Sequence, residues 1–540
     1  MLHWRQITTD RKRREEKMKE ILYESTRGGE RGITASQAVL KGLAEDGGLY
    51  VPERIPKLAV SMEELSEMSY QETAYEVMKP FFSDYSEEEL KDCIAKAYDR
   101  KFDTEEIAPL AKVNGVYFLE LFHGKTIAFK DMALSNLPHL MTAAAKKQGI
   151  KNEIVILTAT SGDTGKAAME GFADVPGTRI LVFYPKNGVS RIQELQMLTQ
   201  KGENTFVIGL EGNFDDAQTG VKKLFHDQAL AKELDAMGYQ FSSANSINIG
   251  RLVPQIVYYV YAYAKLFKNG EIKKGETVNV TVPTGNFGNI LAAYFAKEMG
   301  VPFGRLICAS NDNKVLYDFF QSGSYDRNRE FFLTASPSMD ILVSSNLERL
   351  LYLSCGRDAK KTRGLMEQLS ETGRYAIGPE MRDAMKDFAS GYADGKETEA
   401  EIRRVFEDTG YLLDPHTAVA SAVYEKYRKQ TEDGTKTLIA STASPYKFPE
   451  TVLAAISGTS PAFAPGAAPA EPSGTAPSAA SEAAGQRDES ALLEELERLS
   501  GIPVPAAVKE LSSAKIRHHA VCRPEEMKET VKSTFSKKRK

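Results

Sequence analysis

The sequence lacks most features of secreted, membrane-spanning or nucleic-acid-binding proteins. Its 540 residues include one tryptophan and four scattered cysteines, which indicate neither a disulfide framework nor a CxxC metal site. No apolar run reaches the roughly 20 residues that cross a membrane. The formal net charge of -5 argues against nucleic-acid binding through bulk positive charge. From these absences we expect no metal site, no membrane partner and no nucleic-acid partner.

The first twenty residues also lack the apolar stretch of a signal peptide. They are highly charged and show no apolar face at helical spacing, so we expect a solvated arm at residues 1–20. Since neither a signal peptide nor a disulfide framework is present, we expect a reducing, cytoplasmic location.

The composition itself is that of a soluble globular protein, with 42% hydrophobic and 26% charged residues. From residue 115 onward, short β-rich runs alternate with helix-like stretches, and several runs are continuously apolar. Such runs are typical of strands buried on both faces of a parallel sheet. We therefore predict an α/β fold, with strands at 116–121, 154–158, 180–184, 205–209, 278–282, 306–309 and 437–440.

A small helical cluster is predicted before these strands, at residues 61–105. Three serines each precede a glutamate by three residues, the spacing of a capping box, in which each side chain accepts a hydrogen bond from the other residue's backbone. The pairs are Ser61 with Glu64, Ser69 with Glu72, and Ser86 with Glu89. We therefore expect an N-terminal domain at residues 21–110.

Residues 457–490 interrupt the α/β pattern. They contain five prolines and a single aromatic residue, Phe463, so they cannot bury enough apolar surface to offset their ordering entropy. We expect a disordered Pro/Ala-rich insertion, after which ALLEELERL resumes the folded domain up to about residue 535. The basic tail SKKRK is interpreted as an inert solvated end.

The loops after the predicted strands are the places to look for chemistry, because parallel sheets bind ligands at the carboxyl ends of their strands. One such loop consists of Gly285, Asn286, Phe287, Gly288 and Asn289. Glycines let several N–H groups converge and a helix start adds partial positive charge, so the loop could hold a phosphate. A plain strand-to-helix turn is the alternative.

A second loop carries Lys130, which follows an apolar stretch at a possible helix start. Desolvation by Phe129 and Met132 would lower the pKa of its amine and make it a nucleophile, although a surface lysine is the alternative. A third loop opens a helix with hydroxyl and N–H groups that suit a carboxylate or a phosphate, unless it is a ligand-free cap. Its residues are Ser161, Gly162, Asp163 and Thr164.

The fourth loop follows the last predicted strand and carries Ser441, Thr442 and Ser444. A hydroxyl at the carboxyl end of a strand can hydrogen-bond a ring nitrogen without protonating it. A simple turn before a helix is the alternative.

Taken together and in this order, the loops resemble those of the threonine synthase family of pyridoxal-phosphate (PLP) enzymes. Segments with family counterparts are YESTRGG, HGKTIAFKD, TSGDTGKAA, YPKNGVSRIQELQM, NSINIGRLVPQ, PTGNFGN, SPSMDILVSSNLERLL, LDPHTAVA and STASPYKF. The resemblance covers about 21–456 and 491–530, but neither the arm nor the insertion. Arg191 departs from it, since the family often has a proline there.

The resemblance implies the tryptophan-synthase-β-like PLP fold, with two open, twisted, mostly parallel sheets and a small N-terminal domain. It implies a small mobile α/β domain at 155–245. The large PLP-binding domain would comprise residues 111–154, 246–456 and 491–535.

The family's site roles carry over as expectations. Lys130 would form the Schiff base with PLP and later move protons, residues 285–289 would cradle the cofactor phosphate, and Thr442 would bond the pyridine nitrogen. Ser161, Gly162, Asp163 and Thr164 would surround the substrate's α-carboxylate. Lys186 and Ser190, with Arg191, are candidates for its phosphate. For His416 we favour a structural helix cap over a catalytic base.

The implied reaction converts O-phosphohomoserine and water to L-threonine and phosphate by β,γ-elimination and replacement. A phospho-lyase of the same fold is the alternative, and a binding protein without cofactor is a further one. We expect a monomer or a homodimer.

Deletion of residues 457–490 is predicted to leave folding and activity nearly unchanged, because their composition gives them no place in a core. Steady-state activity and thermal unfolding of the deleted protein check this. Loss of folding would contradict it.

Overall fold

The computed structural model describes residues 20–160, 163–186, 189, 191–458, 489–511 and 514–536, without the side chains of residues 191, 192 and 489. Nearly all of the predicted arm (1–20) and insertion (457–490) therefore lies outside the described residues. Within those ranges, no helix combines the length and apolarity that a membrane span requires.

The described strands are β1 (Tyr23–Ser25), β2 (Tyr50–Pro52), β3 (Leu110–Val113), β4 (Val116–Glu120), β5 (Glu153–Ala159), β6 (Thr178–Pro185), β7 (Thr205–Leu210), β8 (Tyr239–Ser242), β9 (Val278–Pro283), β10 (Phe303–Ser310), β11 (Ser324–Asp326), β12 (Arg374–Ala376), β13 (Phe388–Tyr392), β14 (Thr437–Ser441) and β15 (Ala520–Cys522).

The described α-helices span Ala35–Lys41, Met62–Ser66, Tyr70–Met78, Glu87–Ala97, Lys130–Leu134, Leu137–Lys147, Asp163–Phe172, Arg191–Leu198, Phe214–His226, Gln228–Ala236, Ile249–Lys268, Gly288–Glu298, Val315–Ser322, Leu347–Ser354, Ala359–Thr372, Pro379–Ala384, Gly395–Thr409, Pro415–Thr431, Pro449–Ser457, Glu489–Ser500, Ala506–Lys509 and Met527–Ser536.

Two separate, mostly parallel sheets organise these elements. The larger sheet has six strands in the order β13-β10-β9-β14-β4-β3, all parallel except β3, which is antiparallel to β4. The smaller sheet has five parallel strands in the order β15-β7-β6-β5-β8. Helices cover both sheets, so the predicted α/β fold is confirmed.

All seven strands predicted from continuous apolar runs are present, within three residues of their predicted ends. They are the seven interior strands of the two sheets: β4, β5, β6, β7, β9, β10 and β14. The four edge strands, β3, β8, β13 and β15, were not predicted.

The N-terminal helices begin where the sequence predicts. Ser61, Ser69 and Ser86 each accept a hydrogen bond from the backbone N–H of the glutamate three residues on, and each capping box is complete. The first two of these helices pack against the helix Ile249–Lys268. That helix is apolar on nearly all sides and is therefore buried along most of its length.

The segment after the insertion does not belong to one domain, which corrects the expectation that residues 491–535 join the large domain. The helix Glu489–Ser500 does pack on Pro449–Ser457 in the larger unit. β15, however, pairs with β7 of the smaller sheet. The apolar face of Met527–Ser536 then covers that sheet, since Val531 and Phe535 are buried in one cluster with apolar residues of its strands.

Phe535→Ala is predicted to lower the free energy of unfolding by about 3 kcal/mol, because the ring is 4% exposed and packs on Phe206 and Tyr239. Phe331→Ala is the matched control, since the Phe331 ring is 47% exposed. Denaturant unfolding measures both. Equal losses in the two variants would contradict the placement of the C-terminal helix.

Candidate active site

The site is built where β4 and β14 end side by side. The Phe129 N–H donates to the Thr442 carbonyl (2.8 Å), and the Ser444 N–H donates to the Ile127 carbonyl (3.0 Å). Ala128 and Ala443 form a β-bridge between these bonds. The two loops are therefore joined backbone to backbone, which brings Lys130 and Thr442 to the same edge of the sheet, as the sequence predicts.

A buried carboxylate shapes the loop that leads to Lys130. Asp131 accepts hydrogen bonds from the Thr126 N–H (2.8 Å) and hydroxyl (2.6 Å), and burial raises the pKa of Asp131 to about 6 although these bonds lower it. Gly124 is required beside it, because a Cβ there would lie 2.4 Å from the Asp131 Oδ2. The loop is thus closed by its own side chains.

Lys130 itself is 8% exposed and starts the helix Lys130–Leu134. Its Nζ donates to Ser338 Oγ (3.0 Å) and to Asp163 Oδ2 (3.3 Å). Burial lowers the pKa of Lys130; Lys447 and Arg251 lower it further, whereas Asp163 raises it. A buried amine with a lowered pKa is a usable nucleophile, in agreement with the sequence prediction.

Asp163 reaches this amine from the smaller sheet, at the start of the helix that follows β5. Its Oδ1 pairs with Lys447 Nζ (2.9 Å) and accepts a hydrogen bond from Gln193 Nε2 (3.2 Å). Burial would raise the pKa of Asp163, but Lys447 and Lys130 outweigh it and hold the pKa well below its usual range. The carboxylate faces lysines, so only its backbone N–H suits a substrate carboxylate.

Lys447 is a site residue that the sequence reasoning missed. It lies in the turn after β14, its side chain is fully buried, and its Nζ also donates to the Thr126 carbonyl (2.9 Å). The available signal was its place in STASPYKF, a few residues beyond Thr442 at the carboxyl end of a strand.

Ser338 is a second residue that was missed, because no strand or helix pattern surrounds it. Its hydroxyl donates to Asp163 Oδ2 (3.1 Å) while accepting from Lys130. The turn that carries it is held by Asn311, whose Nδ2 donates to Asp340 Oδ1 (2.7 Å), and by His416, whose Nε2 accepts the Ser338 N–H (3.2 Å).

The expected capping role of His416 belongs to its neighbour. Asp414 accepts hydrogen bonds from the backbone N–H groups of His416 (2.9 Å) and Thr417 (3.3 Å), so Asp414 is the cap of the helix Pro415–Thr431. The same carboxylate binds His416 Nδ1 (2.9 Å) and thereby aims the ring at Ser338. The physical reason is that the cap residue precedes the helix and accepts from its first N–H groups, as the Asp414 carboxylate does, whereas His416 lies inside the helix.

The 285–289 loop turns sharply into the helix Gly288–Glu298. Phe287 has a left-handed backbone (φ 62°), and none of the described side chains caps the helix, so its first N–H groups are left for another acceptor. A Cβ on Gly285 would lie 2.5 Å from the Ser338 carbonyl oxygen. The loop therefore lies against the same turn that contacts Lys130.

Two buried hydrogen-bond donors of the site have no partner among the described residues. Asn289 Oδ1 accepts from Tyr258 (2.9 Å) and Tyr259, yet its Nδ2 has no partner among the described residues, and neither has Arg251 Nε. Burial lowers the pKa of Arg251 to about 10. Unpaired buried donors are costly, so an anion bound nearby would be favoured.

Thr442 is 5% exposed, and its N–H donates to Thr417 Oγ1 (3.2 Å). Its hydroxyl makes no hydrogen bond with another described residue. It is therefore available to a ligand, as the prediction of a ring-nitrogen partner requires.

The remaining predicted residues are placed only in part. Ser161, Gly162 and Ser190 lie outside the described residues, as does the side chain of Arg191. Thr164 is partly exposed in the helix that Asp163 opens, and Lys186 is exposed just after β6. Thr164 and Lys186 lie near the edge at which β5 and β6 end, and their predicted contacts with substrate stay predictions.

Comparison with protein families accounts for most of the chain. Residues 22–98 match the threonine synthase N terminus, residues 102–442 match the pyridoxal-phosphate dependent enzymes, and residues 417–474 match the threonine synthase C-terminal family. The chain belongs to the threonine synthase family. Its predicted family membership and fold type are thereby confirmed.

Individual relatives agree. Threonine synthase of Pseudomonas aeruginosa is 40% identical over 446 residues, which cover 82% of this chain and 91% of the relative. Human threonine synthase-like 1 is also 40% identical over 78% of this chain, which spans only 58% of that longer protein. The PLP-bound threonine synthase structure from Brucella melitensis, 34% identical, superposes with a TM-score of 0.80 and covers 96% of this chain and 100% of its own.

The residues of this site fit PLP. Lys130 has a buried amine with a lowered pKa, which would suit a Schiff base, and the Thr442 hydroxyl has no partner among the described residues. The uncapped start of Gly288–Glu298 suits a phosphate.

Gly288→Val is predicted to weaken cofactor binding at least about tenfold with little loss of thermal stability. A Cβ at Gly288 would lie 3.6 Å from Asn346 Nδ2 and 3.7 Å from Gln255 Nε2, so it would clash with no protein atom. A phosphate bound at the helix start, however, would collide with the added side chain. Titration with PLP, followed by absorbance, measures the affinity.

Asn286→Ala is the control, because Asn286 is exposed and its side chain accepts only from Ser345 (3.1 Å) among the described contacts. It should retain cofactor. Normal cofactor binding by the valine variant would place the phosphate elsewhere.

Proposed function

We propose that the protein is a threonine synthase that converts O-phosphohomoserine and water to L-threonine and phosphate. The observation that carries the proposal is the buried Lys130 amine, joined to Asp163 of the second sheet and lying beside an uncapped helix start. Family membership over most of the chain supports it.

PLP, when bound, supplies an electron sink that stabilises negative charge on the substrate carbons. Lys130 would bind the cofactor through its Nζ and, after the substrate's amine has replaced it there, would hold the proton of the substrate's Cα on the same atom. Thr442 orients the ring through its neutral hydroxyl, and the 285–289 loop holds the phosphate with backbone N–H groups. Asp163 and Ser338 hold the Lys130 amine when it is not bound to the cofactor.

The second anionic end of the substrate is assigned to the edge at which β5 and β6 end. Lys186 and the residues around Ser190 are the proposed phosphate ligands, and the N–H groups of 161–164 the proposed carboxylate ligands. Asp163 connects the smaller sheet to the two lysines of the site. Movement of this sheet would therefore exclude water from the reacting substrate until water is needed for hydration. A cytoplasmic location, a role in threonine biosynthesis, and a monomeric or homodimeric state belong to the same proposal.

Product analysis tests the proposal. The purified protein, incubated with O-phosphohomoserine and no added metal, is predicted to form phosphate and threonine in equal amounts. Lys130→Ala should abolish both, and borohydride reduction of the wild type should label Lys130 alone.

Phosphate formed with 2-oxobutanoate would favour the phospho-lyase instead. Absence of a visible absorbance band from the purified protein, once unbound PLP has been removed, would favour a binding protein without cofactor. Weak activity on phosphoserine is compatible with the proposal, since one missing methylene shifts specificity by only about 1–3 kcal/mol.

A further inference from the structure

Lys447 joins three parts of the site that come from different places in the chain. It follows β14, it holds the Thr126 carbonyl in the loop before Lys130 (2.9 Å), and it pairs with Asp163 of the smaller sheet (2.9 Å). Its side chain has no solvent exposure. A lysine is rarely buried to this extent unless its charge is paired with an opposite charge.

The Asp163 carboxylate is shared by two lysine amines. Its Oδ1 faces Lys447 at 2.9 Å and its Oδ2 faces Lys130 at 3.3 Å, with both lysine side chains at most 10% exposed. One negative charge can neutralise only one of the two positive charges. A buried excess charge is unfavourable, so one amine is pressed to give up its proton.

The geometry decides which amine loses it. Lys447 has the shorter contact with Asp163 and a second acceptor in the Thr126 carbonyl, and carbonyl and carboxylate oxygens both favour an ammonium group. Lys130 has the longer contact, a hydroxyl as its other partner, and Arg251 as a further positive neighbour.

We propose that Lys447 is a positioning residue that keeps the Lys130 amine neutral and able to react, by pairing with one oxygen of Asp163. The proposal rests on the proposed function only in that Lys130 is taken as the reacting amine. Lys447 acts through Asp163 and needs no contact with substrate or cofactor.

Other ionisable groups face the same atoms and act in the same balance. Arg251 adds positive charge near Lys130, and His416 is a titratable neighbour of Asp163. Asp131 lies near Lys447 and is buried. Among the described contacts, none of these three groups forms an ion pair with Asp163, so Lys447 has the most direct effect on the pairing of Asp163 with Lys130.

The test measures the protonation of Lys130 in the full-length protein freed of cofactor. Acetic anhydride modifies neutral amines only, and peptide mapping at a series of pH values gives the midpoint for Lys130. In Lys447→Met, Asp163 is left to Lys130 alone, so the midpoint should rise by about one unit or more, which is a tenfold or greater loss of reactivity at neutral pH. Lys447→Arg keeps the charge and should keep the midpoint near that of the wild type.

Two further variants give the test its controls. Lys166→Met removes another buried lysine of the helix Asp163–Phe172, one that binds Glu170 and Gln200 instead, and should move the midpoint less. Asp163→Asn should lower the midpoint, because the Lys130 amine then faces Lys447 without a carboxylate between them. This variant also decides the matter should Lys447→Met not fold.

An unchanged or lowered midpoint in Lys447→Met would overturn the proposal, as would an arginine variant that shifts as far as the methionine variant, or an Asp163→Asn midpoint that does not fall. A merely structural role would lower thermal stability without moving the midpoint. Since Lys130 is read directly, a failure here is distinguishable from a failure of the product analysis.

Discussion

The backbone bonds between the loops that follow β4 and β14 are the constraint on which the site depends. They begin with the Leu121 N–H donating to the Ser441 carbonyl (2.9 Å) and continue to residues 127 and 444. Because main-chain bonds fix these two loops against each other, the backbones of Lys130 and Thr442 are held at the same edge of the sheet. The turn after β14 positions Lys447, and the end of the neighbouring strand β9 positions the 285–289 loop.

The smaller sheet contributes to this arrangement mainly through charge. Asp163 is its described contact with both Lys130 and Lys447, and the contact depends on how the two sheets lie against each other. A displacement that removed Asp163 would leave the buried Lys447 and Lys130 amines without their carboxylate partner, which is unfavourable. The arrangement in which Asp163 contacts both lysines is therefore favoured by the lysines themselves.

The interior of both sheets was predictable from the sequence because interior strands are buried on both faces and read as unbroken apolar runs. Edge strands have one partner and one open side, so β13 (FASGY) and β15 (AVC) owe their strand conformation to pairing rather than to composition. The same reasoning applies to the site. Lys130 and Thr442 follow predictable strands, whereas Ser338 lies in the short 3-10 helix Pro337–Met339, whose position only the tertiary fold determines.

The C-terminal position of β15 has a consequence for synthesis of the protein. The smaller sheet is built from residues 153–242, but its last strand and the helix that covers it are translated some three hundred residues later. Until then β7 is an open edge, and the apolar face beside it lacks the part of its cover that Met527–Ser536 supplies. An open strand edge is the kind of surface that pairs with other chains. The nascent chain therefore needs protection from aggregation during most of its translation, and a chain that stops early never loses that need.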